Sequence, residues 1–281
     1  MIEECKTVRA NVAASFVNIA GYRFVDLPDR DELRQPFRNK CESLGLLGTI
    51  LLSHEGINFF LSGKQDSIDG FLDHLERDER FIDIPLKISH SEERAFRKMN
   101  VRLKNEIISM GMEDVKPAEF TGPTISPVEF KQWLDEGREV TILDARNDYE
   151  IRLGTFENSQ NLGISSFRSF PEAVQNSSLN KQKPVVMFCT GGIRCEKASA
   201  VMLNEGFEDV RQIKGGILGY FEAVGGAHWD GECFVFDRRV AVDPQLNETS
   251  AEVCFACREP LTPEEQKSEH YIIGEACPHC I

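Results

Sequence analysis

The segment 184–200, PVVMFCTGGIRCEKASA, constrains this chain more than any other part of it. The apolar run VVMF predicts a buried strand that ends at Cys189, and the residues after Cys195 predict a helix. Loop amides and a helix N-terminus carry partial positive charge, and Arg194 adds a full one, so the cysteine pKa should fall. Because the thiolate is the reactive form, Cys189 is the leading candidate for a catalytic nucleophile.

The residues between the strand and the helix are predicted to support the sulfur of Cys189. They are Thr190, Gly191, Gly192, Ile193, Arg194 and Cys195. Cys195 has two interpretations. It resolves an oxidised or persulfidated Cys189 into a disulfide, or it is a small residue at the start of a helix.

Composition limits the function classes. The chain has 281 residues, 41% of them hydrophobic and 28% charged, which is typical of a globular protein with two domains and a small third module. It has neither a secretory signal nor an apolar run near the roughly 20 residues of a membrane-spanning helix, so we expect a cytoplasmic protein without a membrane partner. The net charge of −14 argues against generic polyanion binding, so a nucleic-acid partner requires a local basic patch.

Residues 1–93 predict one domain. The order of elements is strand, helix, strand, strand, helix, strand, which is the ferredoxin-like arrangement also found in acylphosphatase-like domains. Its first strand, residues 11–25, is predicted with a turn at Gly21-Tyr22, and its two middle strands flank the turn His54-Glu55-Gly56.

Residues 94–121 are predicted to be a basic linker between two domains. One interpretation is a solvated connection, and the other is a strip that contacts RNA phosphates. The candidate RNA-binding residues are Arg94, Arg97, Lys98, Arg102 and Lys104.

Residues 122–226 predict a second domain in which strands alternate with helices, which implies a parallel sheet covered on both faces. In such sheets reactive groups collect at the carboxyl ends of the strands, where Cys189 falls. Another strand ends at Asp144 and Arg146, which we expect to form a buried ion pair that braces the cysteine loop.

Residues 227–281 form a cysteine-rich tail that is too short for a conventional core. Its two Cys-x-x-Cys pairs have the spacing of a structural zinc site, with Cys254, Cys257, Cys277 and Cys280 as ligands. A redox or free-thiol tail is the alternative, and His270 or His279 is a possible substitute for one cysteine. His228 and Trp229, at the start of the tail, are considered as a cover for the cysteine pocket or a platform for a flipped base.

The combination of Asp144-x-Arg146, the loop CTGGIRC, the following helix and the later IKGGI turn resembles the rhodanese domain. That resemblance implies a sulfurtransferase fold whose loop cysteine carries a persulfide. Protein phosphatases also place a cysteine before an anion-binding loop, but in the pattern Cys-x5-Arg. Here the arginine is the fifth residue after Cys189, which disfavours a phosphatase.

The similarity extends over nearly the whole chain. The N-terminal domain with SHEGINFFLSG, the rhodanese motifs, WDGECFVFDRRV and the double Cys-x-x-Cys tail resemble the rhodanese-containing tRNA uridine hydroxylases. This implies oxygen-dependent 5-hydroxylation of the wobble uridine, with tRNA as partner and molecular oxygen as co-substrate. Two alternatives stay open: a thiosulfate or persulfide sulfurtransferase, and a non-enzymatic RNA- or protein-binding module on a rhodanese scaffold.

Overall fold

The computed structural model describes residues 16–281, and the N-terminal domain within it is a five-stranded sheet with two helices. The elements are β1 (Phe16–Phe24), α1 (Arg30–Ser43), β2 (Leu47–Ser53), β3 (Gly56–Gly63), α2 (Gln65–Leu75), β4 (Leu86–Ser91) and β5 (Met99–Leu103). The strands run in the order β4-β1-β3-β2-β5, antiparallel except that β5 is parallel to β2.

The two faces of this sheet differ in chemistry because side chains alternate along each strand. On one face Val17, Ile19 and Phe59 are buried against α1 and α2. The other face presents Ala20, Tyr22, Asn58, Phe60 and Lys87, and these residues line a cavity shared with the second domain. The second domain therefore covers the sheet face that the helices leave free.

The first strand is continuous over Phe16–Phe24, so the turn predicted at Gly21-Tyr22 is wrong. Gly21 pairs with Phe59 on the neighbouring strand, and a β-carbon there would lie 2.5 Å from the Phe59 ring. The glycine provides room for an aromatic ring rather than a reversal of the chain. Residues 11–15 of the predicted strand lie outside the described residues.

Part of the segment predicted to be a linker is a strand of the sheet. Met99–Leu103 forms β5, paired with β2, and Val101 is buried beneath α1. The alternation of Met99, Val101 and Leu103 with polar residues is a strand pattern, and the density of basic residues concealed it. This correction moves Arg102 from a linker into a sheet edge.

The second domain contains a five-stranded parallel sheet with helices on both faces. The elements are β6 (Thr124–Ile125), α3 (Pro127–Asp135), β7 (Thr141–Asp144), α4 (Asp148–Ile151), β8 (Gly154–Phe156), β9 (Gln160–Asn161), α5 (Phe170–Gln175), β10 (Val185–Phe188), α6 (Ile193–Asn204), β11 (Val210–Ile213) and α7 (Gly216–Val224). The strands of the sheet run in the order β6-β11-β10-β7-β9, and the core packs with α3 and α7 on one side and α5 and α6 on the other.

The tail consists of short strands: β12 (Trp229–Gly231), β13 (Cys233–Phe234), β14 (Ala241–Val242), β15 (Glu252–Val253) and β16 (Pro260–Leu261). Strand β12 pairs with β8 of the second domain, and Arg152 forms an ion pair with Glu259 at 2.5 Å. The tail is therefore attached to the second domain by backbone and side chain. Among residues 16–281, no helix combines the length and the apolar character needed to cross a membrane.

Phe156 lies at the centre of the aromatic part of the core, and we expect Phe156→Ala to lower the free energy of unfolding by about 3–5 kcal/mol. Its ring centroid lies 4.8 to 5.5 Å from those of Phe130, Phe188, Tyr220 and Trp229, so truncation leaves a cavity. Denaturant unfolding measures the loss. The control is Phe120→Ala at a position that is 50% exposed, with an expected change within about 0.5 kcal/mol. Equal losses in the two variants would contradict this packing.

Candidate active site

Cys189 lies directly after the central strand β10, at the carboxyl edge of the parallel sheet. Its Sγ accepts a hydrogen bond from the backbone N–H of Gly192 at 3.2 Å. Gly192 has φ +101° and precedes the first turn of α6, a backbone conformation that side chains other than hydrogen rarely allow. The sequence Cys-Thr-Gly-Gly thus turns a loop amide towards the sulfur.

The start of α7 holds the other side of this loop. The backbone N–H groups of Ile217 and Leu218 donate to the carbonyl oxygens of Cys189 and Thr190 at 2.9 and 3.1 Å. A β-carbon on Gly216 would lie 2.3 Å from the Cys189 carbonyl oxygen, so only glycine permits this approach. The IKGGI turn is therefore the structural support of the cysteine loop.

Arg194 is buried behind the loop and forms a bidentate ion pair with Glu150 of α4, at 2.5 and 2.8 Å. The hydroxyl of Thr190 donates to the same carboxylate at 3.3 Å. Burial opposes the ionisation of Glu150, but the charge and hydrogen bonds of Arg194 outweigh it and place its pKa below the ordinary value. Glu150 and Arg194 are therefore both charged, and the positive charge of the Arg194 guanidinium lies close to Cys189.

The two cysteines of the loop have opposite acidities. Burial by itself raises the pKa of the Cys189 thiol. A hydrogen bond from Cys195, the charge of Arg194 and backbone N–H donors have the opposite and larger effect, and the pKa is lowered to about 6. Burial and the neighbouring Cys189 raise the pKa of Cys195 well above its ordinary value. At neutral pH the loop holds a Cys189 thiolate beside a neutral Cys195 thiol, which is the arrangement of a nucleophile with a hydrogen-bond donor.

A cleft of about 840 Å³ opens above Cys189, between the two domains. The free face of the N-terminal sheet forms one wall, and the cysteine loop forms part of the other. Cationic residues of both domains line it: Arg23, Lys87, Lys104, Arg168, Arg194 and Lys214. Apolar rings, among them Phe24, Phe60, Phe167 and Phe236, complete the lining. Cations beside aromatic faces are suited to a nucleotide.

Contacts on α6 fix the two walls of this cleft relative to each other. The Tyr22 hydroxyl of β1 donates to Glu196 at 3.1 Å. Lys197 is fully buried, and its Nζ lies 2.7 Å from the carboxylates of both Glu55 and Glu106. Because α6 begins at the cysteine loop, these contacts set the distance between Cys189 and the N-terminal sheet.

Asp144 and Arg146 form a fully buried ion pair at 2.7 Å. The guanidinium of Arg146 also donates to the carbonyl oxygen of Gly154 at 2.6 Å and lies over the ring of Trp229. The pair thus joins the end of β7 to β8 and the tail, one strand away from Cys189. It is a structural element beneath the site and does not contact the thiolate.

The predicted basic strip is not brought to the site as a unit. Of its five residues, only Lys104 lines the cleft. Arg94 donates to the carbonyl oxygen of Gly45 and lies over the ring of Phe16. The remaining three residues of the strip lie in or directly before the edge strand β5: Arg97, Lys98 and Arg102. Trp229 is buried in the core and His228 pairs with Asp135, so the idea that they cover the pocket is wrong.

Comparisons with known proteins agree with this architecture. Residues 16–107 match the model of the UPF0176 acylphosphatase like domain, and residues 126–223 match that of the rhodanese-like domain. A tRNA uridine(34) hydroxylase of Cupriavidus necator is 52% identical over 271 residues, covering 94% of this chain and 96% of the relative. One of Acaryochloris marina is 46% identical over 95% of this chain and 87% of the relative. The chain belongs to the tRNA uridine(34) hydroxylase family.

Solved structures are also similar to parts of the chain. The crystal structure of a rhodanese-like domain protein from Staphylococcus aureus is 28% identical, with a TM-score of 0.31, and covers 35% of this chain and 90% of that one.

Several residues of the site were missed by reasoning from the sequence, because they are far apart in the chain. Glu150 follows Asn147 by three residues, a spacing typical of a helix start, and this gave no sign of its bond to Arg194. Tyr22 and Lys87 belong to strands of another domain. No local pattern marks such residues, since only the domain arrangement brings them to Cys189.

The four tail cysteines meet in one cluster, with their sulfur atoms all within 4.8 Å of one another. The Sγ–Sγ distances are 3.5 Å between Cys257 and Cys277, 3.7 Å between Cys277 and Cys280, and 4.0 Å between Cys254 and Cys280. His279 pairs with Glu265 and His270 lies near Glu269, so neither histidine replaces a cysteine in the cluster.

We predict that the thiolate fraction of Cys189 rises as pH rises through about 6 and is lost below it. The difference in thiolate ultraviolet absorbance between wild type and Cys189→Ser, followed against pH, measures this midpoint. Arg194→Met should raise it because the neighbouring positive charge is removed, while Arg194→Lys retains the charge and limits the shift.

Arg168→Met serves as the control for that titration, because Arg168 lines the same cleft but is not among the causes of the shift. Its midpoint should equal that of the wild type. A wild-type midpoint at the ordinary thiol value, or an equal shift in Arg194→Met and Arg168→Met, would contradict the electrostatic explanation.

Proposed function

We propose that this chain hydroxylates carbon 5 of uridine 34 in tRNA, with Cys189 as the nucleophile and molecular oxygen as co-substrate. One oxygen atom replaces the C5–H bond by C5–OH, and a two-electron donor reduces the other oxygen atom to water. The observation that carries the proposal is an activated thiolate at the base of an 840 Å³ cleft lined by cations and aromatic rings. Pockets of roughly 300–1,000 Å³ hold ligands of drug size, so the cleft is large enough for a nucleotide. The proposal is also supported by two relatives from Cupriavidus that are named tRNA uridine(34) hydroxylase.

The residues around Cys189 have separate roles in this proposal. The Gly192 amide and Arg194 keep the sulfur ionised, and Glu150 holds the guanidinium in place. The anticodon loop is single-stranded, so the wobble base reaches the cleft without disrupting a duplex. The aromatic lining provides surfaces on which a base stacks, worth about 1–3 kcal/mol per base in single-strand binding proteins. The cytoplasmic location expected from the sequence stays a prediction.

A cell that expresses only the Cys189→Ala variant should contain no 5-hydroxyuridine-derived nucleosides in its tRNA, because the nucleophile is absent. Mass spectrometry of total tRNA measures this against wild type and the gene deletion. Cys41→Ala is the matched control, since Cys41 is equally buried but lies in the N-terminal domain, on the buried face of α1. Full modification in Cys189→Ala would overturn the catalytic role and favour a binding module.

A sulfurtransferase is the second candidate, favoured by the match of residues 126–223 to the rhodanese-like model. It requires the same thiolate but no RNA. Thiosulfate-to-cyanide turnover that is lost in Cys189→Ser, together with unchanged tRNA modification in the same variant, would favour it. Turnover of tRNA without turnover of thiosulfate favours the hydroxylase.

The tail cluster is proposed as a structural zinc site. With Zn–S bonds of about 2.3 Å, a tetrahedral site places its sulfur atoms about 3.8 Å apart, and the three contacts of 3.5 to 4.0 Å fit this value. Cys254, Cys257, Cys277 and Cys280 would hold the ion, which would give the small tail a core that its apolar residues do not supply. The ion takes no part in the chemistry at Cys189.

Elemental analysis of the purified chain should find one zinc ion per molecule, and Cys257→Ala should lose it because three thiolates bind the ion far more weakly than four. Cys41→Ala, which removes a buried thiol elsewhere, should retain the full amount. The tail of Cys257→Ala should also become more sensitive to protease. Equal zinc contents in the two variants would contradict the site.

A further inference from the structure

Lys87 occupies a distinctive place on the wall opposite the cysteine loop. It lies on β4 and pairs with Ala20 of β1, which in turn pairs with Phe60 of β3. The three residues form one row across the free face of the N-terminal sheet, with the small Ala20 between a cation and an aromatic ring. Lys87 lines the main cleft and also an adjoining cavity of about 50 Å³ that Thr190 shares.

Two glycines of the second domain make room for the end of this side chain. A β-carbon on Gly215 would lie 2.3 Å from Lys87 Nζ, and one on Gly219 would lie 2.9 Å from it. Gly219 is inside α7, where glycine is less favourable than alanine. The ammonium group therefore reaches across the domain boundary to the turn that supports the Cys189 loop.

The Lys87 ammonium has no protein partner in the part of the chain that the structure describes. Across residues 16–281 its Nζ makes neither a hydrogen bond nor an ion pair. Burial lowers the pKa of Lys87, Glu222 acts in the opposite direction and Lys214 adds further positive charge. Glu222 is near but does not form an ion pair with this partly buried ammonium, and an anion in contact with it in the cleft would lower the cost of its burial.

We propose that Lys87, with Lys214 beside it, binds a backbone phosphate of the tRNA next to the target uridine. The inference rests on the proposed function, because tRNA supplies the phosphate. A phosphate fits better than a base carbonyl because two ammonium groups require a full negative charge, and lysine binds phosphate as a point charge. Phe60 in the same row then lies beside the attached base, on the side of the sheet that faces Cys189.

The test is the affinity of the full-length protein for an unmodified tRNA transcript with uridine at position 34, measured across a range of salt concentrations. Lys87→Met should weaken binding about tenfold and raise KM by the same factor. It should also reduce the slope of log affinity against log salt by about 0.7, the value for one phosphate contact on a single strand. Lys87→Arg retains the charge and should preserve most of the affinity.

Lys64→Met is the matched control, because it removes one positive charge from the same domain at an exposed position at the start of α2. It should leave affinity and slope unchanged. Lys87→Met with wild-type affinity and slope overturns the inference, whether or not kcat falls. A wild-type protein that binds no tRNA overturns the proposed function instead, so the two failures are distinguishable. Thermal unfolding of each variant shows that it is folded.

Discussion

The buried ion pair between Arg194 and Glu150 is the interaction on which the site depends. It joins the first turn of α6 to α4, and Thr190 of the loop bonds to the same carboxylate. Removing one partner of such a pair leaves an uncompensated buried charge, at a cost of about 3–5 kcal/mol. The pair is therefore both the support of the loop and the fixed positive charge that favours the Cys189 thiolate.

The second constraint is the free face of the N-terminal sheet. Helices cover one side of this sheet, and the cysteine loop and α6 face its other side across the cleft. The bond from Tyr22 to Glu196 and the buried Lys197 with its two carboxylates hold that arrangement. The Cys189 thiolate and the wall opposite it thus belong to different domains, and neither domain forms the cleft by itself.

Much of the fold follows from local patterns. Apolar alternation identifies the strands of the N-terminal domain, and the alternation of strands with helices identifies the parallel sheet. Prediction from local patterns was wrong where one residue type is typical of two kinds of structure. In β5 the basic residues concealed an alternating strand, and at Gly21 a glycine that accommodates the Phe59 ring was interpreted as a turn. In both cases the deciding partner lies in a distant part of the chain.

The sequence by itself determined that a strand, a glycine loop and a helix carry Cys189, since each of these is encoded by neighbouring residues. It also determined that the tail carries two Cys-x-x-Cys pairs, whose spacing is that of a four-cysteine cluster. Only the tertiary structure decided which charges surround the Cys189 thiolate and which residues of the N-terminal sheet form the opposite wall of the cleft. Glu150, Tyr22 and Lys87 reach the site through long-range packing, and packing between distant segments leaves no periodic trace in the sequence.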